Sequence, residues 1–111
     1  MIVSIKMLTI RRLKLKLFAA LLVASWPGLS HAADPHKGAE LYATHCALCH
    51  GASGNSVMLS APNFAQGERL MNPDGALLLS IQNGRAGMPS YRGVLSDQDI
   101  LNVIAYLRTL N

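Results

Sequence analysis

Apolar residues recur along this chain at helical spacing far more often than in alternation. The clearest stretch is Ile100, Val103, Ile104 and Leu107, at i, i+3, i+4 and i+7, which writes one apolar face of a helix. Ser96 precedes it as N-cap, Asp97 and Asp99 suit the dipole of its first turn, and Leu95 with Ile100 is placed as a hydrophobic staple. Upstream, Leu77, Leu78, Leu79 and Ile81 fill a helix from Ala76 to about Asn83, opened by Pro73-Asp74-Gly75 and stopped by Asn83-Gly84. Another runs from His36 to about Cys46, with Ala39, Tyr42 and Ala43 on one side, Asp34 as N-cap and Pro35 at the first position. Gly38 and Tyr42 share a face of it. Glycine inside a helix costs about 1 kcal/mol against alanine, which suggests close approach of a second helix there; a frayed first turn is the alternative. Arg69 to Asn72 reads as a helical turn. Gly51 to Gly67 is punctuated by Gly, Pro and Asn and predicts a long irregular loop. Strand signals are weak and no repeat is present, so the pattern predicts one all-α domain.

One apolar run does not belong to that domain. Leu17 to Ala24 is too short to span a bilayer, and it follows a positive segment holding Lys6, Arg11, Arg12, Lys14 and Lys16. Pro27-Gly28 breaks it, and Ser30-His31-Ala32 supplies small residues at a cleavage site. Residues 1–32 therefore read as a secretory signal peptide, with Met7 an alternative start and a retained anchor the alternative fate. Residues 33–111 form the expected domain.

This division changes the charge balance. The whole chain is formally +4, but the domain keeps only Lys37, Arg69, Arg85, Arg92 and Arg108 against Asp34, Glu40, Glu68, Asp74, Asp97 and Asp99. Its net charge is about −1, which gives no support to nucleic-acid or anionic-membrane binding. No paired carboxylates, nucleophile–base set or phosphate loop suggests independent catalysis.

The chemistry is concentrated in Cys46-Ala47-Leu48-Cys49-His50. This is C-x-x-C-H, the pattern for covalent attachment of a c-type haem. Two thiols meet the two vinyl groups of one porphyrin edge, and the adjacent imidazole meets the iron. A thioredoxin-like pair would need a βαβ context, and a structural zinc site would need further ligands, whereas Cys46 and Cys49 are the only cysteines. One haem c, bound through Cys46 and Cys49 with His50 on the iron, also supplies apolar bulk to a domain whose aromatics are Tyr42, Phe64, Tyr91 and Tyr106. A long loop in so small a domain suits wrapping a prosthetic group. Metal-bound histidines usually donate their second ring N–H to a fixed acceptor, and the Pro62 carbonyl is the candidate; an ordinary surface turn is the alternative.

The sixth iron position has five contenders: Met58, Met71, Met88, His36 and His45. The two histidines lie in or just before the attachment segment, which hinders reach to the opposite face. Met58 and Met71 are equally suited to filling core. Met88, between Gly87 and Pro89 in a loop ahead of the last helix, is preferred, and a thioether there raises the reduction potential. Arg85 and Tyr91 are polar groups placed to meet a haem propionate, although a solvated arginine is the alternative for Arg85.

Gly38 to Tyr42 followed by Cys46 to Gly51, then Ala61-Pro62-Asn63-Phe64, Gly87 to Tyr91, and Leu95 to Leu107 together resemble the class I c-type cytochromes in their short bacterial form. The resemblance implies a cytochrome c fold, with N- and C-terminal helices crossing so that Gly38 and Tyr42 meet Val103 and Tyr106. It implies a proline loop holding the proximal His50 and a methionine loop at Met88. The function implied is a periplasmic monohaem carrier passing single electrons between a redox-protein donor and acceptor, as a monomer, with a haem edge near the thioethers reaching the surface. A subunit of a periplasmic dehydrogenase or oxidase complex is the second reading, and a five-coordinate haem sensor or peroxidase the third. The domain lacks the ring of lysines through which many such cytochromes dock, which leaves the partner open.

Overall fold

Helix α1 (Pro35–His45) begins at its start signals. Asp34 is extended and its carboxylate accepts the backbone N–H groups of His36 and Lys37, two donors with no partner inside the helix. This computed structural model describes residues 31–111 and, upstream of them, Met7. The body of the expected signal peptide lies outside the described residues. No described helix is long and apolar enough to cross a membrane.

Helix α1 ends one residue earlier than its pattern predicts. Cys46 turns out of helical geometry, at φ −120° and ψ −35°, and a single further turn, α2 (Ala47–His50), carries the second cysteine and the histidine. The chain then wanders through turns to a 3-10 segment at Phe64–Gln66.

The expected turn from Arg69 to Asn72 is present as a single turn, closed by the Asn72 N–H to the Arg69 carbonyl at 3.1 Å, and it does not extend into a helix. Arg69 itself takes φ +66°, the left-handed region that a non-glycine residue rarely occupies, and this reverses the chain as it enters that turn. Helix α3 (Asp74–Asn83) starts two residues sooner than predicted, with Pro73 at its N-cap. The Pro73 carbonyl takes up the N–H groups of Ala76 and Leu77, at 2.9 and 3.1 Å. Asp74 is further held by an ion pair with Arg108.

Helix α4 (Asp97–Leu107) matches its predicted cap and stripe. Ser96 and Asp99 form a reciprocal capping box, and Ile100, Val103, Ile104 and Leu107 are all buried. Helix α4 crosses α1, bringing Asn102 and Tyr106 onto Gly38 and setting the Tyr42 and Tyr106 rings 5.3 Å apart. Its other flank receives Leu77 of α3 against Ile100 and Ile104. Burying each such isoleucine is worth about 1.5–3 kcal/mol.

The core is thereby divided. Tyr42, Phe64, Leu70, Val103 and Leu107 form one cluster, and Leu77, Ile100 and Ile104 another. A cavity is lined by members of both.

Candidate functional site

That cavity has a volume of about 340 Å³, within the range of sites that take a small organic ligand. Its apolar wall is Tyr42, Phe64, Leu77, Val103 and Leu107, and into it come Cys46, Cys49, His50 and Met88. A domain of this size would not ordinarily leave a void between the halves of its core. The residues present fit a large, flat, apolar group with an iron at its centre: two thiols at a spacing of three, an imidazole beside the second, and soft thioether sulfur on another segment.

Each site residue is placed by identifiable local forces. Cys46 is the joint between α1 and α2, held by its N–H to the Tyr42 carbonyl at 2.9 Å. Helix α2 is short because Gly51, at φ 80°, ends it; there the Tyr42 hydroxyl donates to the Gly51 carbonyl at 2.6 Å. His50 is buried, and its Nδ1 lies 3.2 Å from the Pro62 carbonyl. A carbonyl only accepts, so Nδ1 carries the proton and Nε2 is left as the basic nitrogen. The imidazole is also stacked on Phe64, ring centroids 4.5 Å apart and planes inclined by 22°. The Phe64 role was not legible from spacing, although its place beside Pro62-Asn63 marked the segment.

Thiol chemistry separates the readings of the cysteine pair. Burial, with the neighbouring Cys49 adding to it, pushes the Cys46 thiol up to about 11. Redox-active C-x-x-C pairs need a thiol pushed the other way, toward the thiolate. Among the described residues there is also no cluster of three or more His, Cys, Asp and Glu side chains that would hold a metal ion on its own.

The contenders for the sixth position are now separated by place. Met88 and Met58 line the cavity, as does His45. Met71 does not line it and is 95% exposed, and His36 is exposed on the first turn of α1. Met88 sits in a tight turn, its N–H donating to the Arg85 carbonyl at 2.7 Å and its carbonyl accepting from the Arg85 N–H at 3.1 Å.

Arg85 and Tyr91 both line the cavity. Arg85 is exposed, whereas Tyr91 gives its hydroxyl proton to the His45 carbonyl at 2.6 Å and so keeps none for a propionate. Arg69 also lines the cavity, a position hidden from sequence because the reversal that brings it there depends on its left-handed backbone.

With this geometry in hand, the relatives are informative. A model of the family described as "Cytochrome C oxidase, cbb3-type, subunit III" matches residues 33–107. Cytochrome c6 from a Synechococcus species is 40% identical over 80 residues, spanning 68% of this chain and 70% of its own. Cytochrome c6 from Parathermosynechococcus lividus is 37% identical over 79 residues, spanning 68% and 88%. The solved cytochrome c6 of the diatom Phaeodactylum tricornutum superposes with a TM-score of 0.57 at 27% identity, covering 69% of this chain and 93% of that one. The strand-free helical architecture agrees with theirs among the described residues. The chain therefore belongs to the class I c-type cytochromes, and it carries one haem c bound covalently through Cys46 and Cys49.

Proposed function

We propose that this cytochrome is a periplasmic electron carrier whose iron is ligated by His50 and Met88. The observation that carries the reading is the cavity itself, into which the attachment cysteines, a braced imidazole and the Met88 loop all converge. Haem c supplies the one-electron iron couple, and the chain's own residues do the rest. The Pro62 carbonyl and the Phe64 ring hold the His50 imidazole in one tautomer and one orientation. Met88 offers soft sulfur, which favours the reduced metal and raises the potential. The two clusters of apolar residues keep water from the site. With His50 and Met88 both holding the iron, no coordination position would be left for a substrate, which weighs against the sensor and peroxidase reading.

A docking surface is supported beside the second cysteine. Leu48 is 89% exposed and Leu59 108%, and the backbone N–H groups of Val57 and Met58 both bond the Cys49 carbonyl, gathering these side chains around it. From Leu41 to Gly67 the sequence holds no Asp, Glu, Lys or Arg. A redox partner meeting this collar would do so through an uncharged, apolar face.

Export is supported by the signal-peptide pattern of residues 1–32. The description of the matching family as an oxidase subunit favours a second reading, in which the cytochrome relays electrons inside a larger periplasmic complex. The test is the intact mass, location and redox titration of the expressed protein. The carrier reading expects one haem added to residues 33–111, periplasmic recovery, a reversible one-electron wave and sedimentation as a small monomer. Co-sedimentation in a stable large complex would favour the subunit reading, and bare polypeptide mass would end both.

A further inference from the structure

The loop that carries Met88 is bonded firmly to one neighbour and barely to another. Along the end of α3, the Ser90 hydroxyl donates to the Gln82 carbonyl at 2.6 Å, and the Arg92 guanidinium to the Asn83 side-chain oxygen at 2.6 Å. The N–H groups of Tyr91 and Arg92 bond the carbonyls of Ile81 and Gln82 at 3.2 and 3.1 Å. Gly84, at φ +71°, lets the loop rest backbone on backbone, since a Cβ there would stand 2.6 Å from the Met88 carbonyl oxygen.

Toward the attachment segment the tie is single. Among the described residues, one hydrogen bond joins residues 84–95 to residues 33–66, and it is the Tyr91 hydroxyl donating to the His45 carbonyl at 2.6 Å. The acceptor sits in the last turn of α1, where helix carbonyls lack partners within the helix. The Tyr91 ring meets the His45 ring edge-on, centroids 5.8 Å apart, and Cys46 follows immediately.

The covalent bonds to Cys46 and Cys49 make the haem a rider on that attachment segment. Any drift of residues 84–92 relative to His45–His50 is therefore a drift of Met88 relative to the iron. We propose that Tyr91 is a positioning residue, a latch whose hydroxyl holds the Met88 loop against the attachment segment and so keeps the thioether seated as sixth ligand. The inference rests on the reading of Met88 as that ligand. Tyr91 itself touches neither iron nor partner in this role; it acts through Met88.

The latch is tested on the oxidised holoprotein with imidazole as competitor for the sixth position. Tyr91→Phe keeps the ring and removes only the donor, and one neutral hydrogen bond corresponds to an increase in imidazole affinity of about fivefold. In a Met88→Ala background, adding Tyr91→Phe should change nothing further. If Met88→Ala strengthens imidazole binding but Tyr91→Phe alone matches the native protein, the latch is wrong and the ligand assignment stands. An equal Tyr91→Phe effect with and without Met88 would also overturn the latch, because the hydroxyl would then act on the site generally. If Met88→Ala leaves the imidazole affinity unchanged, the ligand reading fails and takes the latch with it.

Discussion

A Cβ built on Gly38 would stand 2.0 Å from the carbonyl oxygen of Asn102 and 3.0 Å from Cβ of Tyr106. Helices α1 and α4 cross with a glycine as their point of closest approach, and neither backbone can yield without moving its whole helix. This contact fixes where Tyr42 and Val103 stand, and through them one wall of the haem cavity.

On an open helix, replacing glycine by alanine stabilises by roughly 1 kcal/mol. Here the sign reverses. Gly38→Ala should destabilise the holoprotein by about 1–3 kcal/mol through overpacking, read as a lower midpoint in guanidinium unfolding. An unchanged or higher midpoint would mean the crossing is looser than described.

Tyr42 gives the fold an alkaline limit. Burial, then the neighbouring Cys46 and Tyr106, pushes its phenol up to about 12 from an ordinary 10.0. The unfolded chain ionises first, so the stability contributed by the neutral phenol is complete below pH 10 and is lost as pH rises toward 12. Two pH units correspond to about 2–3 kcal/mol, less the share that Cys46 loses once it is a thioether. The measurement is stability against pH from 8 to 12 for native protein and Tyr42→Phe. The variant should start lower, having lost the bond to Gly51, and fall less steeply; parallel curves would refute the assignment.

The other end of the scale belongs to α4. The hydrogen bonds from Ser96 hold the Asp99 carboxyl below its usual range. A lowered carboxyl stabilises the fold above its unfolded value, and that contribution disappears as pH falls through the lowered folded value. Ser96→Ala should cost about 1 kcal/mol at neutral pH. Its penalty should shrink in acid, where Asp99 is protonated in both proteins, and a penalty constant down to strong acid would contradict the capping box.

The uncharged collar predicts how docking responds to charge. With ferrocyanide as reductant, Leu48→Lys and Leu59→Lys should each accelerate electron transfer at low ionic strength, with the gain vanishing as salt screens the new cation. The same substitution at Val94, exposed but far along the chain from Cys49, serves as comparison. Equal gains at all three positions would move electron exchange away from the collar.

Much of this was legible in the sequence because the decisive signals are local. The C-x-x-C-H run, the cap and stripe of α4 and the Asp34-Pro35 start of α1 each lie within a dozen residues, and each appears where its pattern puts it. Gly38 was legible as a puzzle, a glycine where a helix wants none, and the Asn102 backbone is its answer. What stayed hidden depends on backbone geometry or on distant partners. Arg69 reverses the chain with a left-handed φ that no arginine advertises. The Phe64 ring against His50 and the Tyr91 hydroxyl on the His45 carbonyl join residues 14 and 46 apart, and no spacing rule reaches that far. Tyr91 was expected to face a propionate because polarity can be read from sequence, whereas the direction of a hydroxyl cannot.

The proposed ligation would close the haem iron on both faces with His50 and Met88. The most direct measurement is the visible and near-infrared absorption spectrum of the purified oxidised protein, native beside Met88→Ala. A low-spin native spectrum is expected, with the weak long-wavelength band of iron–thioether ligation, lost on substitution. A high-spin native spectrum, or a thioether band that survives in Met88→Ala, would contradict it.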